Sequence, residues 1–370
     1  MRIGSFEFNL NEIAGSTGDF GTLIPLAVGY IVVCGLDPAG FLLMMGVANI
    51  ATGLIYKLPM PIEPMKVLAV VAIAQAWSPS MVYASGFAMG VVWLLFAATG
   101  IITWISRLTP NSVIRGIQVA LGVLLAIEAF DMMSTWWAMG GVSILIVVLL
   151  RRNRYAPAAI VLMLLGAAIV LVRGEFAEVT PPALSLPTLT VFEPVEAWET
   201  MLLAGFAQIP LTVTNATIAT AALITAYWPD RTVTEKQLSW NQGIMNTIVP
   251  FLGGMPMCHG AGGLAAQYYF GARTGGANII EGLIEISMGL FLAASIAGLL
   301  SAFPTAIIGA MMMLVGIELA KFAADVRRDW GALPLVVTVV VAVATNMFAG
   351  FLAGIAAHYL LPSRIRDRAD

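Results

Sequence analysis

Ionisable side chains are scarce in this chain, and two stretches hold them where they could do chemistry. The first is Pro59-Met60-Pro61-Ile62-Glu63-Pro64-Met65-Lys66, with three prolines, a carboxylate and an ammonium between apolar runs. The second is Gly254-Met255-Pro256-Met257-Cys258-His259-Gly260-Ala261-Gly262-Gly263, also helix-breaking, polar and followed by an apolar run. Glu63 and Lys66 lie three apart, so on a helix starting near Pro61 they share one face. Two chemistries fit them. The pair lowers the cost of burying both charges, or Glu63 takes up a proton while Lys66 offers charge to an anion. The run from His259 to Gly263 also has two readings. It is a helix start whose bare backbone N–H groups and positive dipole end receive an anion, or it is a glycine packing point between helices. Cys258 and His259 lack further ligands at metal spacing, and no Gly-x-x-x-x-Gly-Lys-Ser/Thr sequence offers a nucleotide cradle.

Other polar residues interrupt apolar sequence: Asp19, Gln208, Thr212, Asn215, Gln267, Glu281, Glu285 and Glu318. Charges at membrane depth are costly and usually line a cavity, so each is a functional candidate. Asp19, with Thr22 beside it, either holds the first span against the broken stretches or touches a ligand directly. Gln208, Thr212 and Asn215 follow at four and three residues, so a regular helix lines them on one face. Glu281 and Glu285 also share a face, suited to gating or to helix pairing. Glu318 near Lys321 reads as structural.

The elements that must position these groups are membrane spans. The chain has 370 residues, 59% hydrophobic and 11% charged, where a soluble domain carries about 25% charged. No signal peptide and no terminal soluble domain are expected. Cys34 and Cys258 are too few for a disulfide framework. Apolar segments cover 13–34, 39–56, 65–77, 81–105, 112–127, 137–150, 156–172, 199–228, 240–253, 264–272, 277–302, 304–320, 332–345 and 347–361. Several fall short of the about 20 residues a perpendicular span needs, as half-helices or tilted spans would. With the N-terminus inside and the segments alternating, only Lys66 and Arg173 of the 18 basic residues avoid the inner side. Both termini are therefore expected in the cytoplasm.

The halves repeat. Gly46-x-x-Asn49 precedes Pro59, and Gly243-x-x-Asn246 precedes Pro256, each glycine thirteen residues ahead of its proline. Phe20-Gly21-Thr22-Leu23-Ile24-Pro25-Leu26 matches Phe206-Ala207-Gln208-Ile209-Pro210-Leu211, and Pro110 and Pro304 each stand twelve before Gly122 and Gly316. Seven segments per half is odd, so the second copy is expected to be inverted. Two broken segments at matching places in inverted halves mark a binding site near the midplane. The expected fold is an all-α polytopic membrane protein of about 14 spans: a seven-span repeat over 1–175, an external linker over 176–198 and an inverted repeat over 199–370.

These residues resemble the molybdate transporter family, related to the sulfate permeases and to nucleobase permeases. The matching motifs are Gly18-Asp19-Phe20-Gly21-Thr22 with Ile24-Pro25, Pro59-Met60-Pro61 with Pro64-Met65-Lys66, and Gln208-Ile209-Pro210-Leu211-Thr212 with Asn215. The longest is Met255 to Leu264 with Phe270-Gly271-Ala272-Arg273-Thr274-Gly275. Glu63 stands where the family pattern expects glutamine, and Tyr269 where a basic residue is frequent. The resemblance implies core and gate domains that each draw on both repeats. It also implies that the third and tenth spans are short strands leading into half-helices.

The implied activity is secondary active transport of a tetrahedral oxyanion, molybdate first, tungstate or sulfate next, by alternating access. Pro61, Ile62 and Glu63 on one side and His259, Gly260, Ala261, Gly262 and Gly263 on the other would receive the anion, with Gln208, Thr212 and Asn215 completing the cage. Asp19, Thr22, Glu63, Lys66, Gln267, Glu281 and Glu285 would serve coupling or structure. An anion entering against a negative-inside potential meets about 2.3 kcal/mol per charge per 100 mV, so a coupling proton, or Na+, is expected, on Glu63 or Asp19. The remaining expectations are a cell-membrane location, the lipid bilayer as surroundings, no cofactor, no metal, no nucleic acid and room for a homodimer. A nucleobase or carboxylate proton symporter on the same fold and a passive anion channel are the alternatives. An intramembrane enzyme on His259 lacks a nucleophile arrangement or a metal-ligand set.

Overall fold

The computed structural model describes residues 2–18, 20–102, 105, 108–150, 158–175, 179–326 and 330–362. A small hairpin opens the chain, β1 (Arg2–Ile3) and β2 (Phe6–Glu7). The expected first segment, 13–34, divides into α1 (Leu10–Ser16) and α2 (Phe20–Val32). Asn9 causes the early start, because its side chain accepts from the N–H groups of Asn11 and Glu12 as an N-cap. Glu12 is buried and accepts from the amides of Arg273, Thr274 and Ala277, which ties α1 to a loop near the other end of the sequence.

Each remaining apolar segment contains a helix. In the first half these are α3 (Pro38–Tyr56), α4 (Lys66–Ala74), α5 (Pro79–Thr99), α6 (Asn111–Ser134), α7 (Trp137–Leu150) and α8 (Ala158–Val172). In the second half they are α9 (Pro194–Tyr227), α10 (Glu235–Ile248), α11 (Ala261–Phe270), α12 (Gly276–Ser301), α13 (Thr305–Ala320), α14 (Leu333–Ala344) and α15 (Met347–Leu360). By length and composition α3, α5, α6, α9 and α12 can cross a bilayer, and six shorter helices among the described residues are apolar. Residues 179–193 form an extended strap tied to α12 and to the end of α10 through Ala183, Ser185 and Thr190. Cys34 and Cys258 are free and buried.

Helices pair across the halves: α3 with α12, α5 with α10, and α6 with α13. Glycine sets how closely they approach. A Cβ on Gly46 would lie 2.5 Å from the carbonyl oxygen of Gly282, and one on Gly122 would lie 2.7 Å from that of Gly316. Small residues let backbones touch where lipid provides no hydrophobic drive. Gly122 and Gly316, the two glycines twelve residues after the matched prolines, thus sit face to face.

Between α3 and α4 the chain cannot stay helical. Lys57 ends α3 in the left-handed region, with φ of 55°. Pro59, Pro61 and Pro64 then remove three donors and hold their predecessors extended. The matching stretch after α10 turns at Gly253 and runs out through Pro256. The two extended pieces meet as β3 (Glu63–Pro64) and β4 (Met257–Cys258), antiparallel, with Glu63 opposite Cys258 and Pro64 opposite Met257. The Met65 N–H donates to the carbonyl of Pro256 at 3.0 Å and extends the pairing by one bond.

Candidate functional site

Where β3 and β4 cross, buried backbone groups need partners that lipid cannot supply. Two asparagines provide them in the same way. Asn278 Oδ1 accepts from the Met60 N–H at 2.8 Å, and its Nδ2 donates to the Met60 carbonyl at 2.6 Å. Asn246 does the same for Met257, at 2.8 and 2.7 Å. Asn246 belongs to the repeated Gly-x-x-Asn motif, whereas its counterpart Asn49 stands behind Asn278 and accepts from it at 2.9 Å. Asn278→Ala or Asn246→Ala is expected to leave one amide and one carbonyl unsatisfied, a loss of about 2–6 kcal/mol. Thermal unfolding in detergent checks this, and a midpoint equal to wild type for both variants would remove the clamps from the account.

The helix starts differ from the sequence expectation on one side. Glu63 and Pro64 are strand, Met65 is still extended, and α4 begins at Lys66 rather than near Pro61. Its first amides are not open. Gln208 Oε1 accepts from Val67 at 2.7 Å and from Leu68 at 3.4 Å, and Gln208 Nε2 donates to Thr212 Oγ1 at 2.5 Å. Gln208 is therefore the cap of α4, and Thr212 holds the cap. Gln208→Ala is expected to cost about 1 kcal/mol, read as a lower melting point that Gln208→Glu partly restores. Asn215 does not follow them round the helix. Pro210 removes a donor from α9, and the turns Met201–Gly205 and Thr212–Ala219 widen to i→i+5 bonding. Three residues no longer return to the same face, and Asn215 is half-buried with no side-chain hydrogen bond among the described residues.

On the other side, α11 starts with a run of open amides. Gly260 is extended, with φ −136° and ψ 125°, and no side chain caps the helix. Among the described residues nothing accepts from the N–H groups of Ala261, Gly262 and Gly263. A Cβ on Gly262 would meet nothing within 4 Å, so this start opens onto free space. Glu63 comes up beside it. Its carboxylate lies against Gly260 and Gly263, where a Cβ on Gly260 would fall 2.5 Å from Oε2. Lys66 Nζ meets the same Oε2 at 2.8 Å, so the pair forms across the strand-to-helix junction instead of along one helix face.

His259 serves the scaffold. Its Nδ1 is 3.2 Å from the Pro61 carbonyl and its Nε2 is 3.0 Å from the side-chain amide of Asn241, so each ring nitrogen has a polar neighbour. The Pro61 carbonyl is thus occupied by the histidine, and Ile62 is fully buried in the apolar core. Glu281 and Glu285 reach the crossing through intermediates. Gln267 on α11 donates to Glu281 Oε2 at 3.2 Å, and Asn49 donates to Glu285 Oε2 at 2.8 Å. Glu318 pairs with Lys321 at the surface. Asp19 and the side chain of Thr22 lie outside the described residues.

Four asparagines matter here that were not among the candidates. Asn49 and Asn246 were visible as repeat markers, and Asn241 and Asn278 as amides in or beside apolar sequence. A cap-like role for an amide on a distant helix leaves no local pattern.

Comparison with known proteins agrees with this architecture. The profile of the family described as "Molybdate transporter of MFS superfamily" matches residues 11–125 and 200–319, which include β3, β4, α4 and α11. Molybdate transporter 1 of Arabidopsis thaliana is 29% identical, covering 98% of this chain and 91% of its own length. Molybdate transporter 2 of the same plant is 30% identical, covering 96% and 88%. Among solved structures, SLC26A9 superimposes with a TM-score of 0.72 at 13% identity, over 95% of this chain, which spans 64% of that one. The transmembrane domain of the cyanobacterial bicarbonate transporter BicA gives 0.63 at 15% identity, covering 94% and 96%. At these identities the structural likeness is one of fold, that of a mostly helical membrane transporter. The sequence matches run through both broken segments and over almost the whole chain, and by them this protein belongs to the molybdate transporter family.

Proposed function

We propose that the protein is a secondary active transporter of a tetrahedral oxyanion, with molybdate as the first substrate and tungstate or sulfate next. The observation that carries this is the α11 start: three amides without acceptors, a glycine facing open space, and a dipole end that favours negative charge. The molybdate transporters of Arabidopsis thaliana among its relatives point to the same chemistry. The geometry supports a narrower cage than the sequence suggested. The anion takes its hydrogen bonds from Ala261 to Gly263, with Lys66 supplying positive charge beside Glu63. Gln208, Thr212 and His259 position the walls and do not reach inward. Hydrogen bonding without excess charge suits a site that must also release its ligand.

The wider frame of this reading is alternating access by two inverted seven-span repeats, 1–175 and 199–370, joined by the linker 176–198. The pairing of α3 with α12 and of α6 with α13, and the contact of Gly122 with Gly316, support such a pseudo-symmetry. Core and gate domains would each draw on both repeats. Both termini would lie in the cytoplasm, with the protein in the cell membrane. Cation coupling, by a proton or Na+, supplies the drive that an anion needs against a negative-inside potential.

One observation favours a second reading. The Glu63 carboxylate at the α11 start could accept N–H groups of a nucleobase. Competition separates the two. In proteoliposomes, uptake of labelled molybdate is expected to be saturable, concentrative, displaced by tungstate and untouched by uracil. Displacement by uracil but not tungstate would transfer the site to the second reading, and uptake that only equilibrates would make the protein a channel.

A further inference from the structure

Two buried carboxylates on α12 reach the two walls of the crossing by separate routes. Glu285 holds Asn49, Asn49 holds Asn278, and Asn278 grips Met60 ahead of β3. Glu281 accepts from Gln267, which lies on α11. Pro59 and Pro256 set the repeat offset at 197 residues, which maps Glu281 and Glu285 onto Ala84 and Ala88 of α5. The polar face is therefore present in one half only, and repeat symmetry does not account for it.

Glu281 and Glu285 stand one turn apart and are 1% and 4% exposed. Gln267 distinguishes them. Its side chain is fully buried, its Nε2 donates to Glu281 Oε2 at 3.2 Å, and its Oε1 receives no hydrogen bond among the described residues. A carboxylic acid facing a primary amide closes a ring of two hydrogen bonds. The amide N–H donates to one carboxyl oxygen, and the carboxyl O–H donates to the amide oxygen. A proton on Glu281 therefore supplies the donor that Gln267 Oε1 lacks. Turning the amide over does not remove the need, because Oε1 would then face the carboxyl itself.

We propose that Glu281 is the proton-binding carboxyl of the transport cycle, and that its acid–amide ring with Gln267 sets the hold of α12 on α11. This rests on the oxyanion-transport reading and moves the coupling proton from Glu63, which is paired with Lys66, to α12. An O–H bond forms at Glu281 with a proton taken from water on the side of anion entry. It breaks when that proton returns to water on the other side, and no other covalent bond changes. The titratable and charged groups on elements around α12 are Glu285 on α12, Glu12 on α1, Glu7 on β2 and Tyr30 on α2. Asp37, Tyr56 and Lys57 belong to α3 and its ends, and Tyr268, Tyr269 and Arg273 to the end of α11. Glu12 is satisfied by three amides, and Arg273 is held by the carbonyls of Tyr268 and Ala272.

Two measurements test this. In infrared difference spectra of the purified protein in lipid, a protonated-carboxyl band is expected near neutral pH. Glu281→Gln should remove it, Glu285→Gln should leave it, and Gln267→Leu should shift it. A band indifferent to Glu281→Gln, or no band, overturns the assignment without reference to any substrate. In proteoliposomes, a one-unit inward proton gradient should raise wild-type molybdate accumulation about tenfold for one coupled proton, and Glu281→Gln should bring that ratio to one. Equal stimulation of both proteins overturns the proton site and leaves the transport reading intact. Absence of molybdate uptake by the wild type instead overturns the transport reading, and the infrared band then decides on Glu281 alone.

Discussion

Gly263→Ala is expected to cut molybdate uptake on the order of a hundredfold, the scale that a displacement of about 1 Å costs at a positioned site. The added methyl would land on Glu63 Oε1 and lie 3.0 Å from Cβ and Cγ of Pro61. Neither neighbour can yield. The Pro61 carbonyl is held by His259, the preceding Met60 peptide is clamped on both sides by Asn278, and Glu63 Oε2 is fixed by Lys66. The strain therefore passes to the start of α11, whose amides must stay aimed at one point. Gly262→Ala is the control for folding, because its methyl enters open space and should leave the melting point unchanged. Adding Glu63→Ala to Gly263→Ala makes room for the methyl, so the two substitutions should be strongly non-additive in stability. Wild-type uptake by Gly263→Ala would mean that the carboxylate does not rest on α11 in the working protein.

The same neighbourhood shows what the residues could and could not disclose. Prolines at 59, 61 and 64 and the glycines after His259 forecast two broken segments, because loss of N–H groups and of Cβ atoms acts locally. They did not disclose where α4 begins. Pro61 permits a helix start and Pro64 holds Glu63 extended, but the antiparallel register of Glu63 with Cys258 and of Pro64 with Met257 carries the extension on to Met65. That register depends on a strand almost two hundred residues away. Asn215 was misplaced for a related reason. Pro210 was visible, but the widened turns that follow it reflect packing of α9 on α4 and α11, which spacing alone does not express. The side chains of Gln208 and His259 turn to the scaffold, and a third reason hid this. A polar side chain near an anion site can face the ligand or the scaffold, and residue type is the same in both cases.

Lys66→Met is expected to destabilise the protein by about 3–5 kcal/mol, the range for removing one member of a buried pair. Glu63 is 4% exposed at its side chain and Lys66 20%, so water does not replace the lost ammonium. The open start of α11 offsets part of this loss, since a carboxylate at a helix N-terminus gains up to about 2 kcal/mol in partly buried sites. Lys66 also engages more than Glu63, so other contacts are lost with it. The sign of the double variant separates these contributions. If the unpaired carboxylate dominates, Glu63→Gln with Lys66→Met should recover most of the stability, because the amide needs no counter-charge. Transport should not recover with it, since the positive charge beside the α11 amides is gone and the oxyanion meets only dipoles. Melting curves in detergent and uptake at varied molybdate concentration read the two effects separately: stability restored, and half-saturation shifted to higher concentration. A double variant as unstable as Lys66→Met alone would assign the loss to the other contacts of Lys66 and reduce its pairing with Glu63 to a minor role.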